Sequence, residues 1–245
     1  MEQHIFPMRL DKYLADMSVG TRKEVKKMIR SGRVAVDDSP AAAPEQKITE
    51  GMKVCLDGQP VIYQRYVYYL LNKPAGILTA TRDRHKKTVL DLLDEAAGKN
   101  LSPCGRLDLD TEGLLLITNN GQLIHRLLSP AGHVAKTYYA RIRGRADEED
   151  IRRFAAGIKL AEDFTAMPAQ LLIRRADAIS EVEVTIYEGK FHQVKNMFEA
   201  VGKPVLYLRR ISMGPLKLPD DLAPGCWRPL NEQEMADLAL LQPQL

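Results

Sequence analysis

The chain has 245 residues, of which 45% are hydrophobic and 27% are charged, an ordinary globular composition that fits one large domain or two modest ones. Its apolar stretches are far shorter than the roughly 20 residues of a membrane-spanning helix, and its first residues lack the features of a signal peptide. The three cysteines, Cys55, Cys104 and Cys226, are widely spaced, which argues against a disulfide framework or a zinc site and predicts a cytoplasmic protein.

Residues 1–60 are predicted to form a separate small module. Apolar residues recur at i, i+3, i+4 and i+7 in a first short helix, at Leu10, Tyr13, Leu14 and Met17. A second helix is expected to begin at a capping box formed by Thr21 and Glu24, and to end at Gly32. Short strands are predicted at 33–37 and 54–56, the second followed by an Asp57-Gly58 turn.

The second helix concentrates positive charge on its outer positions. Six cations lie on it or just beyond it, namely Arg22, Lys23, Lys26, Lys27, Arg30 and Arg33. Only Glu24 opposes them, and the acidic residues of the module lie elsewhere in its sequence. Such a face is typical of a surface that binds a phosphate backbone, and the chain's net charge of +3 permits a polyanionic partner. A solvated helix face without a ligand would have the same pattern.

The remaining residues, 61–245, are predicted to form a second, larger domain. Strands are predicted at 66–71, 76–81, 114–118, 136–143, 169–174 and 181–187. Helices are predicted at 88–97, 122–128, 147–157, 191–201 and 232–241. Because strands outnumber helices and often follow one another directly, we expect an α+β fold with a largely antiparallel mixed sheet flanked by helices.

The densest group of reactive side chains lies at 105–113, with the sequence Gly-Arg-Leu-Asp-Leu-Asp-Thr-Glu-Gly. Three interpretations compete for this segment. Asp108 and Asp110 could form a carboxylate pair on one face of a strand, which would suit a glycosidase or a divalent cation. One aspartate could act alone as an ionised nucleophile. The segment could also be only a tight, capped turn, for which Asp, Thr and Gly are common residues.

Two further segments carry polar side chains that could face a cleft. Residues 188–195 place Lys195 three residues after His192, at a predicted strand-to-helix junction. A capped amphipathic helix with an outward lysine would give the same pattern. Tyr138 and Tyr139 are neighbours on a predicted strand, so their side chains point to opposite faces and one of them is available to a cleft.

Five motifs, in this order, resemble the RsuA-type family of ribosomal RNA pseudouridine synthases over nearly the whole chain. The motifs are MRLDKYL at 8–14, LNKPAG at 71–76, GRLDxDTxGLL at 105–115, KTY at 136–138 and EGxxHQVKxMF at 188–198. Residues 1–60 resemble the S4 RNA-binding module that precedes the catalytic domain in that family. A single motif could arise by chance, whereas five in order are specific.

The resemblance implies a role for each matched residue. Asp108 corresponds to the nucleophilic aspartate, and Tyr138 to the tyrosine that packs on the target base and can move a proton. Lys195 corresponds to the basic residue that pairs with the aspartate, and Arg106 to an arginine associated with the flipped nucleotide. Asp110 is expected only to shape the loop.

The implied reaction isomerises one uridine of ribosomal RNA, expected to be small-subunit RNA, and it requires no cofactor or metal. The residues fit attack by Asp108 at C1′, attack at C6, and removal of the C2′ proton equally well. The expected partner is ribosomal RNA or a ribosomal assembly intermediate, without a membrane, and the expected oligomeric state is a monomer.

Two alternatives of other classes accompany this prediction. The basic helix and the S4-like module would also suit a non-catalytic RNA-binding factor in ribosome assembly. Asp108 and Asp110 could serve a metal-dependent glycoside or nucleotide enzyme, in which case an excess of chelator would abolish the activity.

Overall fold

The computed structural model describes residues 6–93, 100–129, 132–162 and 164–241. Within these ranges the chain divides into two compact units, with the boundary between Val67 and Tyr68. Each unit has its own secondary structure.

The first unit combines two helices with short antiparallel strands. In chain order its elements are β1 (Met8–Arg9), α1 (Leu10–Asp16), α2 (Arg22–Arg30), β2 (Val34–Val36), β3 (Ser39–Pro40), β4 (Lys47–Ile48), β5 (Val54–Leu56) and β6 (Gln59–Pro60). Strands β3, β2, β5 and β6 form one sheet in that order, and β1 pairs with β4. The inner faces of both helices pack against β2, β4 and β5, so Leu14, Val25 and Ile29 are buried in a single core.

The capping box predicted at the start of α2, the glycine predicted to end it and the turn predicted after β5 are confirmed. The Thr21 hydroxyl accepts from the Glu24 N–H at 3.3 Å, and the Glu24 carboxylate accepts from the Thr21 N–H at 2.7 Å, which is a complete capping box. Gly32 follows α2 with φ of +73°. Asp57 and Gly58 both have positive φ in the two-residue turn between β5 and β6, as a tight hairpin requires.

The second unit is built on a mixed sheet, and its class is α+β, as predicted. Its strands are β7 (Tyr68–Lys73), β8 (Ser102–Pro103), β9 (Glu112–Thr118), β10 (Lys136–Arg143), β11 (Gln170–Arg175), β12 (Ile179–Ile186), β13 (Val205–Met213), β14 (Leu216–Lys217) and β15 (Trp227–Pro229). The main order is β11-β12-β10-β13-β9-β7-β15, with β14 beside β13 and β8 beside β9. In the described ranges every pairing is antiparallel except that of β9 with β13.

Four helices of the second unit flank this sheet, namely α3 (Gly121–Leu128), α4 (Glu148–Ala156), α5 (Gln193–Ala200) and α6 (Glu232–Leu240). Leu123, Leu127 and Leu238 of α3 and α6 pack against apolar side chains of β7 and β9 in one core cluster. The Phe154 ring of α4 lies 4.8 Å from the Phe198 ring of α5, between centroids. No helix in the described ranges is long and apolar enough to cross a membrane.

Three sequence predictions in this unit need correction. Residues 76–81 form no strand, and Leu78 makes only an isolated bridge to Thr88. The predicted helix at 88–97 begins as a single 3-10 turn, Val89–Leu92; residues 94–97 of that prediction lie outside the described ranges. Strand β13 was not predicted, because Arg210 occupies an inward position where the alternating pattern calls for an apolar residue.

Candidate active site

Asp108 lies in a tight turn that leads into β9. The backbone N–H of Thr111 donates to the carbonyl oxygen of Asp108 at 3.1 Å. The segment is therefore a turn, and Asp108 and Asp110 do not share a strand face as the first of the three interpretations requires. The turn of the third interpretation is therefore present, and it holds an Asp108 carboxylate that is 25% exposed. The second interpretation, in which one aspartate is a nucleophile, stays a prediction.

Lys73, the last residue of β7, supports this turn from the protein interior. Its side chain is fully buried, and its ammonium lies 2.9–3.3 Å from four backbone carbonyl oxygens, those of Pro74, Asp108, Leu109 and Thr111. Burial lowers the pKa of Lys73 to about 8, although nearby carboxylates oppose the shift. One buried cation thus fixes the backbone of the turn from Asp108 to Thr111.

The segment after β7 fixes the same turn from a second direction. The Gly76 N–H donates to the Leu109 carbonyl oxygen at 2.7 Å. The Thr79 hydroxyl donates to the Leu107 carbonyl oxygen at 2.8 Å and accepts from the Leu107 N–H at 3.2 Å. These contacts explain why 76–81 is not a strand, because its polar groups bind a turn instead of a neighbouring strand.

Gly113 lets β9 approach β13 at the end of the same turn. Its φ is +103°, and a Cβ atom there would lie 2.2 Å from the Arg210 carbonyl oxygen. No other residue type fits this close approach of two backbones. The position of β9, and hence of the turn before it, depends on this glycine.

Tyr138 reaches the site from β10. It lies opposite Val184 of β12 and Arg210 of β13, so its side chain shares a face of the sheet with theirs. This face is the covered one, and the Tyr138 side chain is buried at the wall of a cavity that Asp108 also lines. The neighbouring Tyr139 points to the opposite face and donates to Glu181 at 2.9 Å, as the alternation of strand side chains predicts.

Lys195 is placed by the ordered segment before α5. The Glu188 carboxylate accepts from the Met167 N–H at 2.8 Å and from the Gln193 side-chain amide at 2.7 Å. The Gln193 side-chain oxygen in turn accepts from the Lys190 N–H at 2.9 Å. Because α5 begins at Gln193, this network fixes the helical turn that carries Lys195.

The Lys195 ammonium contacts two carboxylates. It lies 3.1 Å from Asp108 Oδ2 and 2.6 Å from Asp110 Oδ1. Burial lowers the pKa of Lys195, but the hydrogen bonds and charges of Asp110 and Asp108 outweigh it, and the pKa is raised overall. The hydrogen bond from Lys195 lowers the pKa of Asp110. Asp110, which the sequence assigns only to loop shape, is therefore also an ion-pair partner of Lys195.

His192 and Phe191 lie at the mouth of the site. The His192 Nε2 atom is 3.5 Å from Asp108 Oδ1, and the residue adopts a left-handed conformation with φ of +51°. The Phe191 ring stacks on the imidazole at 3.8 Å between centroids and is 75% exposed. The exposed Phe191 ring thus lies beside His192, and both residues line a cavity together with Asp108.

The structure brings together the site residues predicted in the second domain. Asp108, Tyr138, Lys195 and Arg106 all line one cavity. The six cations predicted to bind RNA lie in the first unit, as part of α2 or just after it. Two of them have acidic neighbours: Lys26 lies 3.8 Å from Asp11, and the Arg33 Nε atom donates to Asp57 at 2.9 Å.

Sequence reasoning assigned no function to several residues that shape this region. Lys73, Lys136 and Phe191 lie within three of the five sequence motifs. A motif does not show, however, whether a side chain is buried or exposed. Arg210 lies in the strand that was not predicted. Among the residues that the structure describes, no three His, Cys, Asp or Glu side chains converge in the way a metal site requires.

Comparison with known proteins agrees with this geometry. Residues 67–200 match the RNA pseudouridylate synthase family, and residues 8–54 match the S4 domain. An uncharacterized RNA pseudouridine synthase of Bacillus subtilis is 45% identical over 93% of this chain and 97% of its own. Ribosomal small subunit pseudouridine synthase A of Yersinia pestis is 40% identical over 94% of this chain and 98% of its own. A crystal structure of a pseudouridylate synthase, 33% identical, covers 94% of this chain and 99% of its own with a TM-score of 0.66.

Proposed function

Because the chain belongs to the RNA pseudouridylate synthase family, we propose that it isomerises one uridine of ribosomal small-subunit RNA to pseudouridine, with Asp108 as the nucleophile. The small-subunit assignment is supported by the relatives named ribosomal small subunit pseudouridine synthase A, to which the similarity extends over nearly the full chain. Family membership does not favour the non-catalytic assembly factor.

The contact between Lys195 and Asp108 carries the chemical part of the proposal. A nucleophilic carboxylate must be ionised, and the Lys195 ammonium places an opposite charge 3.1 Å from Asp108 Oδ2. The N1–C1′ bond of the uridine breaks, the uracil turns, and C5 joins C1′ while the C5 proton leaves and N1 gains a proton. The product is an isomer of the substrate, so atoms and electrons balance without a redox partner or a nucleotide cosubstrate.

Tyr138 and Arg106 complete the proposed site. A base must leave its stack before the carboxylate can reach its sugar, which costs a few kcal/mol. Tyr138 beside Asp108 offers the flipped base an aromatic surface that offsets part of this cost. Arg106 is exposed at the mouth of the same cavity, where its cation can contact the flipped nucleotide.

We assign RNA capture to the S4-like module, residues 1–60, and catalysis to residues 61–245. Lys23, Lys27 and Arg30 are exposed and recur on one side of α2 at i, i+4 and i+7. Arg22 and Lys26 extend this basic face, and Arg33 lies just beyond it. We further propose that the protein acts as a monomer in the cytoplasm, on ribosomal RNA or on an assembly intermediate.

The proposal is tested by the product that the purified protein makes. Small-subunit and large-subunit ribosomal RNA are incubated separately with the parent and with Asp108→Asn, then digested to nucleosides and analysed for pseudouridine. We expect new pseudouridine in small-subunit RNA with the parent alone. Pseudouridine in large-subunit RNA alone would overturn the substrate assignment, and full activity of Asp108→Asn would overturn the nucleophile.

A further inference from the structure

A second cavity adjoins the active site within the second unit. It has a volume of about 340 Å³ and shares Asp108, Tyr138 and His192 with the site described above. Lys136 of β10 and Arg210 of β13 also line it. These two cations are close because Tyr138 lies opposite Arg210 in the sheet, and Lys136 points to the same face two residues before Tyr138.

The charge of this lining is strongly positive. Among the described residues, four cations line the cavity, namely Arg106, Lys136, Lys190 and Arg210. Asp108 is the one carboxylate among those lining residues, and it is already paired with Lys195. The cavity therefore presents an excess of positive charge to whatever enters it.

Lys136 and Arg210 are buried without an acidic partner. Lys136 is 6% exposed and donates to the Val134 carbonyl oxygen at 2.9 Å; Arg210 is 1% exposed and donates from Nε to the Leu114 carbonyl oxygen at 2.8 Å. In the described part of the chain neither forms a salt bridge, and Arg210 Nη2 is buried with no hydrogen-bond partner. Burial and the neighbouring Arg210 both lower the pKa of Lys136.

An unpaired buried cation destabilises a fold, and two neighbouring ones do so more strongly. An anion entering from the cavity would compensate both charges. A phosphodiester is the anion that RNA supplies beside every nucleotide, and a guanidinium with a free N–H matches its oxygens. The carbonyl oxygens of a neutral base would leave the excess charge uncompensated.

We propose that this cavity binds a backbone phosphate of the RNA next to the reacting uridine, through Lys136 and Arg210. The inference rests on the proposed function, because it assumes an RNA substrate whose target nucleotide lies at Asp108. This phosphate site would give the catalytic unit its own contact with the RNA backbone, in addition to the basic face of α2. The bound phosphate would hold the flipped nucleotide in place through two cations that form no salt bridge within the described part of the chain.

The test removes one charge while keeping the side chain long and unbranched. The variant Lys136→Met and the parent are titrated with an RNA fragment that the parent converts, at several KCl concentrations. We expect Lys136→Met to bind roughly tenfold more weakly, and the slope of log Kd against log[KCl] to fall by about 0.7–0.9, the value for one lost phosphate contact. KM should rise by a larger factor than kcat falls.

Two control variants and one modified RNA accompany this test. Lys159→Met makes the same change at an exposed lysine of the same unit, and it should leave the salt slope unchanged. Lys136→Arg keeps the charge and should restore most of the slope. If Lys136→Met does not fold, methylphosphonate linkages placed one at a time around the uridine test the parent directly. One neutral linkage should weaken parent binding about tenfold.

An unchanged salt slope in folded Lys136→Met would overturn the proposal, as would binding that tolerates every neutral linkage beside the uridine. A contact to the base instead of the phosphate would appear as weaker binding with an unchanged slope, which also overturns it. Failure of the proposed function looks different, because the parent would then form no pseudouridine in any fragment.

Discussion

At the scale of single residues, the site depends on cations that hold carboxylates and carbonyl oxygens in place. Lys195 contacts two carboxylates, and the shorter distance is to Asp110, the more exposed of the two. Lys73 contacts four carbonyl oxygens of the turn that carries Asp108. Asp108, the proposed nucleophile, is thus positioned through its backbone by Lys73 and through its side chain by Lys195.

The role of Lys73 predicts a pH dependence. Because burial lowers its pKa to about 8, the ammonium loses a proton as the pH rises through that value. The neutral amine has one donor fewer for the turn, so we expect the single-turnover rate to fall above about pH 8. Rates measured from pH 6 to pH 10 on a saturating RNA test this.

A control for this experiment is RNA binding, measured in the same buffers. Kd should change little up to about pH 9, because Lys73 lies in the second unit and the cations proposed to capture RNA lie in the first. A rate that stays flat up to pH 10 would show that Lys73 keeps its proton or that the turn does not need it.

At the scale of secondary structure, the parallel contact of β9 with β13 is the constraint that sequence patterns did not reveal. The Gly113→Ala variant would place a Cβ atom 2.2 Å from a backbone oxygen of β13. We expect it to lower the free energy of unfolding by about 2–4 kcal/mol, from overpacking and backbone strain together. Urea denaturation of the purified variant measures this change.

Gly121→Ala is the matched control for Gly113→Ala. Gly121 is the first residue of α3, its φ is not positive, and nothing lies within 4 Å of a Cβ atom placed there. Its free energy of unfolding should stay within about 0.5 kcal/mol of the parent or rise slightly. Equal destabilisation by both substitutions would contradict the close approach described for Gly113.

The elements that the sequence predicted well are those with a local signal. The capping box of α2 and the alternation along β10 both follow from neighbouring residues. Asp108, Tyr138 and Lys195 could be selected because their motifs are specific. Strand β13 and the burial of Lys73 and Arg210 could not, since an inward cation contradicts the apolar pattern. Most of the carbonyl groups that contact these two cations are distant from them in sequence.

At the scale of the whole molecule, we propose that the first unit captures RNA and that the second unit performs the chemistry. Charge reversal at Lys23 and Lys27 should weaken RNA binding by at least tenfold at moderate salt, because each reversal removes a phosphate contact and adds repulsion. The value of kcat at saturating RNA should remain near that of the parent. Filter binding and multiple-turnover kinetics over a range of KCl concentrations measure both quantities.

Lys47→Glu is the control for this separation, because it reverses an exposed charge of the first unit outside α2. It should weaken binding far less than the paired change at Lys23 and Lys27. Equal effects of both variants would mean that the overall charge, and not the face of α2, captures RNA. A collapse of kcat in the α2 variant would contradict the division of labour.

Tritium release from small-subunit RNA that carries 5-tritiated uridine decides whether Asp108 performs the isomerisation. C5 loses its hydrogen only when it becomes the glycosidic carbon. Asp110→Asn is the matched control, because it makes the same change at the other carboxylate that contacts Lys195. The account predicts release by the parent, release within a few-fold of it by Asp110→Asn, and none above background by Asp108→Asn. Release by Asp108→Asn at the parent rate, or its loss in Asp110→Asn alone, would contradict it.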